Sequence, residues 1–356
     1  MADPVPVLPD SRGPLSAVVL HELRSAAHRL PPIVLPDTSD PLADEDVQLV
    51  LYVLYELHYR GFAGVDERWE WEPSLLALRS VLEDIFEGGL FYAIGPPDED
   101  ARIAPEDMDV ALRGVADAED APSLSEHLER EGTRDQFREF AVHRSAYQLK
   151  EADPHSWAIP RLSGVPKAAL VEIQADEYGG GRPERMHAQL FADAMAALGL
   201  DATYGAYLDV IPGVTLATVN LMSLMGLHRR WRGGIVGHLA LFEMTSPLPN
   251  GRYARGLRRL GLDAATPFFD EHVEADAVHE NIAAVDLAGG VARAEPRLTG
   301  QIVWGARALA ELDARWARHL LGCWERGVSS LRAPVPSTAA AKPMHIARVG
   351  PPHEWH

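Results

Sequence analysis

Between Phe268 and Asn281 the sequence reads Phe-Phe-Asp-Glu-His-Val-Glu-Ala-Asp-Ala-Val-His-Glu-Asn, which sets His272, Asp276 and His279 at steps of four and three. At about 100° per residue those steps bring three side chains to one helical face within roughly 40°. Phe268 and Phe269 fall on the same face one turn earlier, so two imidazoles and a carboxylate project into an apolar interior. A carboxylate buried there without a counter-charge is costly. A metal ion supplies that charge, and mixed nitrogen and oxygen ligation suits iron, manganese or zinc better than calcium or magnesium.

Composition narrows the remaining choices. The chain has 356 residues, 47% of them apolar, and a formal charge of -19. That is enough apolar material for a sizeable core. The negative charge opposes nucleic acid and anionic membrane surfaces, so neither is expected as a partner. No leader-like segment opens the sequence and no run of about 20 apolar residues occurs, which leads us to expect a cytoplasmic protein. The single cysteine, Cys323, rules out an internal disulfide or a thiolate cluster. Lying among Leu320, Leu321 and Trp324, it reads as core filler.

The positioning elements are helical almost throughout. After a proline-rich start, three-and-four-residue spacing predicts helices at 15–29, 44–59 and 73–86. Glu56, His58, Glu70 and Glu72 do not converge in phase, and are read as solvated charges beside a packed histidine. A proline-rich acidic stretch at 96–124 marks a boundary. Thr133-Arg-Asp-Gln136 is a capping box opening a helix expected to run to about Ala152, with Glu151 near its end. A helix over 167–178 turns Glu177 to the side of Leu170 and Ile173 and leaves Glu172 wet. Gly179-Gly-Gly181 then interrupts it, and Pro183 can start a helix in which His187 shares a face with Leu190 and Phe191. In one straight helix Glu177 and His187 would diverge by roughly 80°, so the glycine bend is what lets both aim at one point. Further helices are expected at 201–210, 213–226, 229–245, 251–260, 265–288 and 296–328, with no period-two strand. His238 reads as a core histidine, while Asp209, Asn220 and Glu243 are candidates for supporting a ligand or contacting substrate, although their spacing alone supports no role.

Taken in order, Glu151, Glu177, His187, His272, Asp276 and His279 resemble the ligand set of the haem-oxygenase-like diiron oxidases and oxygenases. The ten-residue Glu-to-His step and the four-then-three triplet match, and the segments 149–157 and 268–281 are similar to those of the iron-containing redox enzyme group. The resemblance spans about residues 130–330. It implies an all-α bundle of about seven helices, a centre of two iron ions held by those six residues, and dioxygen as co-substrate in the oxidation of an amine or a carbon–hydrogen or carbon–carbon bond. It implies a small-molecule substrate, in keeping with secondary metabolism, and an external electron donor. No catalytic residue beyond the metal ligands is expected.

The expected organisation is an N-terminal helical region over 1–125, a diiron domain over 126–332 and a loose tail over 333–356. Likeness of the first region to an assembly region of some N-oxygenases implies a homodimer. A non-catalytic helical protein that binds iron or a small ligand is the alternative, and a cofactorless enzyme of the same fold is a third.

Overall fold

The structure, a computed structural model, describes residues 5–118 and 121–335, with the side chains of residues 275–278 excepted. Among the described residues there is no strand. The α-helices in chain order are α1 (Pro14–Glu22), α2 (Glu45–Glu56), α3 (Pro73–Ile94), α4 (Met108–Asp117), α5 (Leu124–Arg130), α6 (Arg134–Gln148), the single turn α7 (Asp153–Ser156), α8 (Gly164–Glu177), α9 (His187–Ala197), α10 (Gly213–Leu227), α11 (Arg232–Thr245), α12 (Pro247–Arg259), α13 (Pro267–Asn281), α14 (Gly289–Ala294) and α15 (Thr299–Glu325). None is long and apolar enough to cross a membrane.

The expected helices form where an apolar stripe coincides with a start signal, and depart from expectation where turn chemistry competes. Thr133 and Gln136 make the reciprocal capping bonds that open α6. That helix ends at Gln148 rather than near Ala152, and Asp153-Pro154 instead opens the next turn, α7, where proline is tolerated in the first helical positions. Glu151 therefore stands in the link between α6 and α7. Helix α3 runs past Phe86 to Ile94 because Phe86 and Leu90 continue its buried face, and Gly95 at φ +75° stops it. The stretch 96–124 is more than a linker: α4 lies inside it, with Met108 and Leu112 fully buried against α11 and α15. Residues 201–210 form turns rather than a helix. There Asp201 Oδ1 accepts from Thr203 N at 2.8 Å, and Gly205 adopts φ +79°. Beyond α13 the helix widens into a π turn over Ile282–Ala288, a conformation that recurs at functional sites.

Helix α10 is buried nearly all round, as a central helix must be, and packs against α2, α11 and α15. Helices α11 and α15 approach most closely where Gly237 faces the Ile302 carbonyl and Gly305 faces Gly234. A Cβ on Gly237 would lie 1.8 Å from that carbonyl oxygen, so only glycine fits. The N-terminal helices contribute to the same apolar core: Val19, Val47 and Leu51 cluster with Leu216, Leu241 and Leu320.

Glu56 departs from its expected solvation. It is fully buried, sits 2.8 Å from the Lys150 ammonium and accepts a 2.6 Å hydrogen bond from the Tyr204 hydroxyl. Lys150 also lies over the ring of Tyr59, 4.2 Å from its centroid. His58 is packed edge-on to Trp71 and bonded to Glu70, and Glu72 caps α3 through Leu75 N.

Candidate metal centre

Six buried side chains from five segments converge inside the bundle. Glu151 comes from the α6–α7 link, Glu177 from the last residue of α8 and His187 from the first of α9. Glu243 comes from α11, and His272 and His279 from α13. None is more than 5% exposed. They fall into two groups, Glu151 with His187 and His272, and Glu177 with Glu243 and His279. Within each group one donor atom per residue lies within 4.8 Å of the others.

The interrupted helix brings Glu177 and His187 together. Gly179, Gly180 and Gly181 all take positive φ, at 67°, 60° and 79°, a region that side chains disfavour. The reversal sets His187 Nδ1 3.0 Å from Glu177 Oε2. Glu177 thus belongs to the second group while touching the first. The two groups are also joined through the rings of His187 and His272, whose centroids are 4.4 Å apart.

Backbone and carboxylate partners fix the orientation of the imidazoles on α13. His272 Nδ1 donates to the Phe268 carbonyl at 2.8 Å, which leaves Nε2 turned to Glu151 Oε1 at 3.8 Å. His279 Nε2 pairs with Asp176 Oδ2 at 3.0 Å, and its Nδ1 faces Glu243 Oε2 at 3.4 Å. Phe268 packs on His272 at 4.4 Å between centroids and on Phe191 at 5.0 Å, closing this side to water.

The electrostatics are those of a site short of positive charge. Burial raises the Glu151 carboxyl above its usual range despite the pull of His272. Burial acts likewise on Glu177, but His187 outweighs it and the net direction is down. Burial lowers both His187 and His279, but carboxylates outweigh it and the net direction is up, for His187 through Glu177. Glu243 and Asp176 raise His279 to about 9. Glu151 Oε2 is buried and makes no hydrogen bond among the described residues, a cost in a dry interior. These carboxylates and imidazoles, one carboxylate oxygen still lacking a partner, fit iron.

A small chamber of about 10 Å³, room for about one water or ion, is lined by Glu151, Glu177, Glu243, His155 and His272. His155 Nε2 and His238 Nδ1 are 3.1 Å apart. Burial pushes His155 down to about 4 and His238 well below its ordinary value, so this pair stays neutral, and His238 is packed in the core.

The structure thus brings together Glu151, Glu177, His187, His272 and His279. The Asp276 side chain lies outside the described residues. Sequence spacing missed Glu243 and Asp176. Glu243 had one signal, a lone carboxylate directly after the largely apolar run Ile235 to Phe242 on a helix buried nearly all round. Asp176 had none, since it is largely exposed and acts only through His279. Asp209 accepts from Asp10 N and Asn220 donates to Gln48, so neither joins the site.

Residues 138–314 match the family model described as iron-containing redox enzyme, a span that holds all six converging residues. No curated protein matches the chain.

Proposed function

We propose, for a chain that belongs across residues 138–314 to the iron-containing redox enzymes, a non-haem diiron oxidase or oxygenase that uses dioxygen to oxidise a small organic substrate. The observation that carries this reading is the pair of buried mixed triads, Glu151–His187–His272 and Glu177–Glu243–His279, meeting at the Glu177–His187 contact. One triad would hold each iron, with Glu177 placed to serve both.

Two ferrous ions bound there would supply electrons to reduce dioxygen and the oxidising power to attack an amine or a carbon–hydrogen bond. The protein holds and orients. Glu151, Glu177 and Glu243 would offset three of the four positive charges of two divalent ions. Asp176 and the Phe268 carbonyl keep the imidazoles of His279 and His272 aimed inward. Phe191, Phe268 and Leu239, all buried, keep water from the chamber, which strengthens each interaction inside it.

Anaerobic titration with Fe(II), followed by Mössbauer spectroscopy and oxygen uptake, tests the reading. The expected result is about two irons per chain and oxygen consumption that depends on an added organic compound. Fewer than about 0.2 equivalents of iron would overturn it. Full iron uptake with no oxygen consumption would instead favour an iron-binding protein.

A further inference from the structure

A cavity of about 410 Å³ adjoins the metal chamber, sharing Phe242, Ser246 and His272 as lining. Most of its wall is apolar, with Phe140, Tyr253, Leu309 and Trp316 among the larger faces. Among the polar side chains of the lining, Arg144, Gln148 and Asp313 stand together against that surface's Trp316 side. The Arg144 guanidinium is stacked over the Trp316 ring at 4.0 Å, which fixes its plane. It lies 3.8 Å from Asp313 Oδ1, beyond hydrogen-bond distance. Asp313 Oδ1 and Gln148 Oε1 are both buried without a hydrogen-bond partner among the described residues. A settled structural ion pair would close to hydrogen-bond contact; this one stays at 3.8 Å, with two buried acceptors beside it lacking a hydrogen bond among the described residues.

We infer that this cavity takes a free amino acid with an apolar side chain, its carboxylate on Arg144 and its ammonium on Asp313 and Gln148. A simple fatty acid would satisfy Arg144 and bring a second negative charge to Asp313. A simple amine would satisfy Asp313 and confront Arg144. Only a ligand carrying both charges a few ångströms apart complements both residues while adding no net charge to a partly buried site. Asp313 agrees with this, since burial pushes its carboxyl up despite the neighbouring guanidinium. With its charged end anchored there, the apolar remainder fills the aromatic wall. The second arginine of the lining, Arg252, is already engaged with Glu129 and Ser125.

The assignment rests on the oxidase reading for its purpose, but the test is one of binding and uses neither iron nor oxygen. Metal-free full-length protein is titrated calorimetrically with L-phenylalanine and L-leucine. The controls are the analogues lacking one charge, 3-phenylpropanoate and phenethylamine, 4-methylpentanoate and isopentylamine. At least one amino acid should bind about tenfold more tightly than both of its analogues. In Arg144→Gln that advantage should shrink over the amine, and in Asp313→Asn over the acid. Binding of the analogues as tight as that of the amino acids, no binding by either amino acid, or an unchanged preference in both variants would overturn the assignment. Separately, binding with the expected preference but no oxygen uptake by the iron-loaded protein would retire the oxidase reading and leave the cavity's assignment standing.

Discussion

Individual residues decide whether metal is held. Glu243 supplies the only carboxylate from α11 in the second triad, and Glu243→Gln keeps its volume while removing its charge. We expect that variant to bind about one iron per chain instead of about two, by Mössbauer quantification; unchanged stoichiometry would remove Glu243 from the ligand set. Asp176 acts one step further out, through His279 Nε2. Asp176→Asn should weaken iron binding about tenfold or more with secondary structure intact, the usual cost of losing a partner behind a ligand, and competition with a chromogenic chelator measures it. Protons compete for the same atoms. In the metal-free protein His279 is raised to about 9, above its unfolded value of roughly 6.5. The stability it contributes is therefore fully present below about pH 6.5 and is lost as pH rises through about 9. The metal-free thermal midpoint should fall across that window relative to His279→Gln, while iron affinity rises as the proton leaves; parallel profiles for the two proteins would contradict this. Five of the six converging residues were named as ligands from the sequence: His272 and His279 by helical phase, Glu177 and His187 by the faces they share on either side of the glycine break, and Glu151, which lies in a link, chiefly through the resemblance. Glu243 was not, because one carboxylate in an apolar helix carries no spacing of its own.

At the scale of elements, the glycine reversal between α8 and α9 sets the reach between Glu177 and His187. A Cβ on Gly179 would lie 2.7 Å from the backbone of Arg185 and Met186, whereas one on Gly180 meets open space. Both take positive φ, so each alanine variant bears a conformational cost of about 1 kcal/mol. Only Gly179→Ala should add a steric displacement that moves His187. We expect Gly180→Ala to lower the thermal midpoint by a few degrees and retain iron, and Gly179→Ala to lose iron affinity as well. Equal iron binding by the two would show that the reversal tolerates a shift. The helices themselves were readable where apolar periodicity and capping agreed, as in α6 and α8. They were misread where a local hydrogen bond or an unseen partner decided the outcome. Asp201 and Gly205 turned an expected helix into turns, and helix α4, anchored by buried Met108 and Leu112, was not foreseen.

Across the whole molecule, one buried ion pair joins parts far apart in the chain. Lys150, next to Glu151, is 1% exposed and reaches Glu56 on α2. Glu56→Gln alone strands an ammonium in an apolar, tyrosine-lined pocket and should cost about 3–5 kcal/mol. Adding Lys150→Met should recover much of that, a contrast that denaturant unfolding of the three proteins measures. If the single variant is as stable as the parent, the pair is not what ties α2 to the site. The family match begins at residue 138, yet the counter-charge for Lys150 lies well before it. A shortened chain starting at residue 126 would keep every residue of both triads and lose Glu56, along with the apolar face that α2 lays on α10. Such a piece should fail to unfold cooperatively, and a sharp two-state transition for it would refute that. The stretch that carries the family likeness is thus smaller than the stretch that must be moved to transplant the site into another protein, and a graft planned on the likeness alone would leave its own lysine as the first thing to break it.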